Sequence, residues 1–142
     1  MCALSKSRKR KRTVAKSKIK IAFVEDSQDT AALFTTFLNQ FCDDFEVRYF
    51  SDGPQFLKTL KAGTYRIAIL DLSLPEMDGF ELIKRMHSVD PRITAVAFTA
   101  HAGKDYRRKA IDAGFHLVIT KPVLDMDAFC RSIIGLAEGP AA

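Results

Sequence analysis

The chain has 142 residues, of which 47% are apolar and 27% are charged, and its formal net charge is +5. This length allows one domain with a real core, and no apolar run approaches the roughly 18 residues that a membrane span requires. The N-terminus lacks the apolar block of a signal peptide. The scattered cysteines Cys2, Cys42 and Cys130 show no metal-binding spacing, which favours free thiols in the reducing cytoplasm.

The net charge conceals two parts of opposite sign. Residues 1–20 hold nine Lys or Arg and no acidic residue, whereas residues 21–142 hold 13 basic and 17 acidic residues and carry a net charge of −4. Residues 1–17 are also polar and show no hydrophobic periodicity, so we expect them to be disordered on their own. The sequence predicts a disordered basic tail at 1–17, one folded domain at 18–138 and a frayed C-terminus at 139–142.

Strand-like and helix-like segments alternate five times after this tail. Apolar or alternating segments predict strands at 18–24, 46–50, 66–70, 93–98 and 116–120. The first helix is expected to run from a cap at Asp26 or Ser27 to about Phe41. The other helices are expected from Pro54 to a terminal Gly63 and over 80–88, 104–113 and 125–137. The face predicted for the first helix comprises Ala32, Leu33, Thr36, Phe37 and Gln40.

This alternation predicts an α/β fold with a five-stranded parallel sheet and helices on both faces. Right-handed crossovers leave few topologies, and the doubly wound, flavodoxin-like strand order 2-1-3-4-5 fits a chain of this length. In that order the topological switch point lies between the first and third strands. Side chains at the carboxyl ends of these two strands should therefore be close neighbours.

Polar side chains follow the apolar strands at this edge. Glu25 and Asp26 follow the first strand, Asp71 the third, Thr99 the fourth and Lys121 the fifth. Three carboxylates in one cleft repel each other, so either one takes up a proton or a cation binds. Oxygen ligands without His or Cys favour Mg²⁺, or Mn²⁺, over zinc. A cation, a lysine and a hydroxyl around one carboxylate predict phosphoryl transfer onto Asp71, because carboxylates attack phosphoryl groups.

Four motifs at these strand ends resemble the receiver domain of two-component response regulators, best known from the chemotaxis regulator. The resemblance covers roughly residues 19–136. The motifs are Val24-Glu25-Asp26-Ser27, Leu70-Asp71-Leu72-Ser73-Leu74-Pro75-Glu76-Met77-Asp78-Gly79, Phe98-Thr99-Ala100 and Ile119-Thr120-Lys121-Pro122.

The resemblance implies a role for each site residue. Asp71 would accept a phosphoryl group from a histidine kinase or a histidine phosphotransfer protein. Glu25, Asp26, Asp71 and the backbone carbonyl of Ser73 would bind the metal ion. Thr99 would supply the switch hydroxyl and Lys121 would pair with the phosphoryl group. The protein would then be a signalling switch that catalyses only its own phosphorylation and dephosphorylation.

The resemblance also implies partners and one departure. A downstream protein would bind the face from the fourth to the fifth helix, and the Lys121–Pro122 bond would be cis. The family commonly carries an aromatic residue where this chain has Val118, which predicts weakened coupling between Thr99 and the fourth helix. The sequence leaves open whether the chain is a stand-alone receiver or part of a larger hybrid kinase.

Other interpretations compete with this one. Asp71 could be a turn residue, Thr99 a strand-end hydroxyl and Lys121 a surface lysine. A phosphatase with an aspartyl nucleophile would need a second Asp where this chain has Ser73. The basic segment 5–20 could be a solvated linker, a contact for nucleic acid or an anionic membrane, a nuclear import signal, or a mask over the acidic cleft. No aromatic residue lies between Met1 and Ala22, so any nucleic-acid binding there should be sequence-blind.

Overall fold

The computed structural model describes residues 18–41, 43, 45–74, 76–101 and 103–138, of which Phe41 and Glu138 are described by their backbone only. The predicted tail at 1–17 and the frayed end at 139–142 lie outside the described residues, so both stay predictions. Each helix within the described ranges is too short or too polar to cross a bilayer.

Strands and helices alternate as the sequence predicts. The strands are β1 (Ile19–Val24), β2 (Phe45–Phe50), β3 (Ile67–Asp71), β4 (Thr94–Thr99) and β5 (Leu117–Thr120). The helices are α1 (Gln28–Phe41), α2 (Gly53–Thr59), α3 (Gly79–Val89), α4 (Lys104–Asp112) and α5 (Met126–Glu138). Most predicted bounds agree to within one or two residues.

All five strands pair in parallel in the order β2-β1-β3-β4-β5, which confirms the predicted fold class and topology. The central strand β3 is buried at all five positions, because helices cover both faces of the sheet. Its Ala68 and Leu70 pack against α2, α3 and α4, whereas Ile67 and Ile69 pack against α1 and α5. The period of two along the strand thus divides the core into two apolar clusters.

The face predicted for α1 was wrong. The buried residues are Ala31, Phe34 and Leu38, whereas Ala32, Leu33, Thr36 and Gln40 are exposed and only Phe37 of the predicted set is partly buried. Phe34 decides the orientation, because its ring packs between those of Phe23, Phe98 and Phe129 at centroid distances of 6.2, 5.1 and 5.3 Å. Burial of Phe34 in this aromatic cluster stabilises the observed orientation of α1 more than burial of the neighbouring stripe with Leu33 and Phe37 would.

The predicted end of the second helix was also wrong. Helix α2 stops at Thr59, and Leu60 is already extended, with its side chain 7% exposed in the core. Gly63 lies beyond the helix in a turn, where its φ of 86° suits glycine. The backbone N–H of Gly63 donates to Asp90 Oδ2 at 2.7 Å, so the turn is fastened to the end of α3 rather than to α2.

Candidate phosphoryl and metal site

Three carboxylates meet at the carboxyl edge of β1 and β3. The two strands are hydrogen-bonded neighbours with Val24 opposite Leu70, so Glu25 and Asp71 emerge side by side. Oxygen atoms of Glu25, Asp26 and Asp71 all lie within 4.8 Å of one another. Glu25 and Asp71 are buried, at 2% and 3% exposure, whereas Asp26 faces solvent. The structure therefore brings together the three acids that the sequence predicted as metal ligands.

Each buried carboxylate is held by the backbone just after it. The N–H of Ser27 donates to Glu25 Oε2 at 3.0 Å, and the N–H of Ser73 donates to Asp71 Oδ1 at 2.8 Å. Ser27 also caps α1, since its hydroxyl accepts from the N–H of Thr30 at 3.2 Å. One oxygen of each buried acid thus accepts a local backbone hydrogen bond, while the other contacts Lys121.

Lys121 lies between the two buried acids. Its Nζ is 3.0 Å from Glu25 Oε1 and 3.2 Å from Asp71 Oδ2, and it stands 4.8 Å above the ring of Phe98. Burial alone would lower the pKa of Lys121, but the hydrogen bond to Glu25 and the charge of Asp71 outweigh it and raise that pKa above its ordinary value. The lysine therefore carries its positive charge at neutral pH.

One lysine does not remove the electrostatic conflict among the acids. Burial raises the pKa of the Glu25 carboxyl above its ordinary value, and the negative charge of Asp71 raises it further. The hydrogen bonds from Ser27 and Lys121 act in the opposite direction without cancelling this shift. A divalent cation would relieve the repulsion, and three clustered carboxylates without nitrogen or sulfur donors suit Mg²⁺ or Mn²⁺.

Thr99 supplies a hydroxyl at the end of β4. The residue is fully buried, and its Oγ1 accepts from the N–H of His101 at 3.1 Å. Thr99 is joined to the lysine by the backbone, because the N–H of Lys121 donates to the Thr99 carbonyl at 2.7 Å. The register of β4 with β5 thus places the predicted hydroxyl and the predicted lysine at the same edge.

Tyr106 of α4 is a neighbour of the site that was not among the site residues predicted from the sequence. Its ring lies 4.7 Å from that of His101 and 5.6 Å from that of Phe80, and its hydroxyl lies near the Thr99 side chain. Burial raises the pKa of Tyr106, and the charges of Asp78 and Asp71 add to this effect. Tyr106 follows Thr99 by seven residues, with a loop between them. Helical periodicity therefore could not predict that the two side chains lie close together.

The segment after Asp71 depends on a glycine. A Cβ at Gly79 would lie 2.8 Å from Leu72 Cα and 2.9 Å from the carbonyl oxygen of Asp71, so backbone approaches backbone here. Asp78 caps α3 by accepting from the N–H of Glu81 at 2.9 Å. Asp78 and Gly79 therefore have a structural role, because they hold the loop that follows the phosphoacceptor candidate at the end of β3.

The resemblance also led to expectations about the Lys121–Pro122 bond, Val118 and the Ser73 carbonyl. The Lys121–Pro122 peptide bond is cis, in agreement with the resemblance. Val118 is 7% exposed and belongs to the same core cluster against which Tyr106 packs. Metal binding by the Ser73 carbonyl stays a prediction, since the structure shows only that the Ser73 N–H binds Asp71.

A doubly wound sheet with an acidic trio, a threonine and a lysine at its carboxyl edge defines a class, that of phosphoacceptor switch domains. The family model of the response regulator receiver domain matches residues 21–133, and the chain belongs to this family. Receiver domains act in two-component signalling, bind Mg²⁺ at an acidic pocket and interact with histidine kinases and phosphotransfer proteins.

Similar proteins agree with this assignment. An uncharacterized 14.6 kDa protein of Leptolyngbya boryana is 33% identical over 105 residues, which cover 72% of this chain and 79% of that protein. The transcriptional regulatory protein CiaR of Streptococcus pneumoniae is 31% identical over 104 residues, and the match covers 73% of this chain but 45% of CiaR. The non-phosphorylated HemR receiver domain of Leptospira biflexa superposes with a TM-score of 0.80 at 22% identity, covering 88% of this chain and 98% of that domain.

Proposed function

We propose that this chain accepts a phosphoryl group on Asp71 from a phosphohistidine of a histidine kinase or phosphotransfer protein. The observation that carries the proposal is the contact of Lys121 Nζ with both Glu25 and Asp71, beside three carboxylates within 4.8 Å. A buried acid with a lysine and a cation-binding cluster can neutralise a phosphoryl dianion, which an isolated turn aspartate cannot.

The transfer requires one bond to form and one to break. A carboxylate oxygen of Asp71 attacks phosphorus, the phosphorus–nitrogen bond of the donor breaks, and its electron pair returns to the imidazole. Glu25, Asp26, Asp71 and the Ser73 carbonyl would hold Mg²⁺, which supplies positive charge to the phosphoryl oxygens. Lys121 exchanges one carboxylate contact for a phosphoryl oxygen and keeps its charge throughout, consistent with its raised pKa.

Thr99 and Tyr106 support a readout of the phosphorylated state. Once a phosphoryl group occupies Asp71, the Thr99 hydroxyl can donate to one of its oxygens instead of facing Tyr106. Because Tyr106 belongs to α4, a change at Thr99 reaches the surface between α4 and α5 that we assign to a downstream protein. Whether this surface serves a stand-alone receiver or one within a hybrid kinase stays open.

The aspartyl phosphatase alternative gains no support from the site. Such an enzyme needs an acid two residues after its nucleophile, and Ser73 holds that position with its side chain exposed. The region 5–20, for which nucleic-acid binding was considered, lies mostly outside the described residues.

Incubation with acetyl phosphate and Mg²⁺, followed by intact-mass measurement, tests the proposal. We expect a gain of about 80 Da, one phosphoryl group, in the wild type and in Asp112→Asn, an exposed acid at the end of α4. Asp71→Asn should gain nothing while keeping its fold. Phosphorylation of Asp71→Asn at the wild-type rate would contradict the proposal.

A further inference from the structure

A basic cleft opens at the amino-terminal edge of the sheet, opposite the acidic site. It has a volume of about 610 Å³ and is lined in part by cationic side chains. Five basic residues of the lining are exposed, and we call them the basic cleft: Lys18, Lys20, Arg66, Arg92 and His116. Nothing in the proposed phosphoryl chemistry uses them.

The backbone arranges these residues in a row. The N–H of Arg66 donates to the carbonyl of Lys20 at 2.9 Å, and the N–H of Thr94 donates to the carbonyl of Arg66 at 3.0 Å. On the next strand, the N–H of His116 donates to the carbonyl of Ala95 at 2.8 Å. Neighbouring strands are about 4.8 Å apart, so the row crosses roughly 15 Å of the sheet edge.

The acidic residue in the described lining binds backbone N–H groups on both sides of the cleft. Asp90 is 4% exposed, and its two carboxylate oxygens accept from the N–H groups of Gly63 at 2.7 Å and Arg92 at 3.1 Å. It therefore fastens the turns that form the cleft. Within the described ranges no carboxylate forms a salt bridge with Lys18, Lys20 or Arg92, so their charges are available to a ligand.

We propose that the basic cleft binds the phosphate backbone of a nucleic acid. Lys18 and Lys20 are the last two of nine basic residues among the first twenty of the sequence. The exposed large apolar residues of the described chain are Leu33, Val89, Ile111 and Leu124, and none lines the cleft. The apolar lining residues Ile19 and Leu136 are partly buried, whereas the basic ones are exposed. A concave surface whose exposed side chains are mainly basic fits a phosphate backbone better than a flat bilayer.

The structure also indicates how such binding would behave. Tyr65 is only 6% exposed, so its ring offers bases little surface for stacking, and we expect contacts with the phosphate backbone to dominate and the binding to depend little on sequence. Arg66 and Asp71 lie at opposite ends of β3, roughly 17 Å apart at about 3.3 Å per residue. Nucleic acid in the cleft therefore leaves the acidic site open, and the two functions can be tested separately.

Fluorescence anisotropy of the full chain with a labelled random-sequence 20-base-pair DNA duplex, from 50 to 200 mM salt, measures this binding. The cleft pair is the double variant Lys20→Glu with Arg92→Glu. The control pair is Lys58→Glu with Lys84→Glu, which changes the net charge by the same amount at exposed positions of α2 and α3 outside the cleft. We expect the cleft pair to weaken binding at least roughly tenfold and to reduce the slope of log K against log salt by about 2. The control pair should keep a slope close to that of the wild type.

Several results would overturn the proposal. Equal losses in both double variants would show an effect of net charge alone. Loss of all binding on deletion of residues 1–17, with no effect of the cleft pair, would assign binding to the tail. Tighter, cleft-dependent binding to phosphatidylserine vesicles than to the duplex would indicate a membrane. If the cleft pair melts early, Lys20→Gln with Arg92→Gln replaces it. Asp71→Asn should bind like the wild type, which separates this inference from the phosphoacceptor proposal.

Discussion

At the scale of single residues, Glu25 is the carboxyl of the acidic cluster whose pKa is raised. It is buried beside Asp71, and both effects raise the pKa of its carboxyl. A protonated carboxyl is a poor metal ligand, so cation binding and protonation of Glu25 exclude each other. We therefore expect cation binding at the cluster to weaken as the pH falls.

The first prediction concerns the pH dependence of Mg²⁺ affinity. As the pH falls through the raised pKa of Glu25, the affinity should fall, approaching about tenfold per pH unit for one competing proton. Isothermal titration across the acidic range measures this dependence. Glu25→Gln should bind Mg²⁺ more weakly with a flatter pH profile, and a profile as steep as that of the wild type would argue against Glu25 as a ligand.

Tyr106 was beyond the reach of the sequence for a physical reason. Helical periodicity places residues on faces of their own helix, but the contact with Thr99 forms across the loop that joins β4 to α4. The strand-end residues Asp71, Thr99 and Lys121 could be predicted to converge, because parallel strands bring their carboxyl ends to one edge. The missing aromatic at Val118 led us to expect weak coupling, and that expectation stays a prediction.

The second prediction tests whether Tyr106 links Thr99 to α4. Backbone amide shifts of Lys104–Asp112 should change when a phosphoryl mimic binds at Asp71, and Tyr106→Phe should reduce these changes without preventing phosphorylation. The physical reason is that this substitution removes only the hydroxyl that lies near Thr99. Tyr65→Phe, at the opposite edge, serves as the control. Changes of the same size in Tyr106→Phe would contradict the link.

At the scale of elements, β3 and the loop after it position the phosphoacceptor candidate. The strand was predictable because its apolar run ends in an acid. The face of α1 was not predictable, since Leu33 and Phe37 offer an apolar stripe beside that of Phe34 and Leu38. The choice between them depends on rings contributed by β1, β4 and α5, which local periodicity does not contain.

The third prediction is that Gly79→Ala destabilises the fold. A Cβ there would lie 2.4 Å from Leu72 Cδ2 and 2.8 Å from Leu72 Cα, so backbone must shift. We expect a loss of about 1–3 kcal/mol in the free energy of unfolding, measured with denaturant. Gly135→Ala on α5 is the matched control, because a Cβ there meets nothing within 4 Å and should stabilise by up to roughly 1 kcal/mol. Equal effects of both substitutions would refute the steric argument.

The whole molecule is electrically polarised along its strands. The acidic trio occupies the carboxyl edge of the sheet and the basic cleft the amino edge, although the net charge of the chain suggests only a basic protein. The fold creates this separation, because every strand of the parallel sheet points the same way. We therefore expect divalent cations and polyanions to bind at opposite edges of the sheet.

The fourth prediction is that Mg²⁺ stabilises the whole domain. A ligand that binds only the native state adds RT ln(1 + [L]/Kd), about 2.7 kcal/mol at a concentration 100-fold above Kd. Thermal melts with and without Mg²⁺ should show the rise in Tm for the wild type and for Asp112→Ala. In Asp26→Ala most of the rise should vanish, and an undiminished rise would place the metal elsewhere.

The central claim, that Asp71 is the phosphoacceptor, is tested most directly by locating the phosphoryl group in the chain. After incubation with acetyl phosphate, acidic digestion and fragment-mass analysis should find about 80 Da on Asp71 rather than on the nearby Ser73, Glu76 or Asp78. The modification should appear with Mg²⁺ and disappear when EDTA replaces it. A phosphoryl group on another residue, or equal labelling of Asp71 in EDTA, would contradict the account.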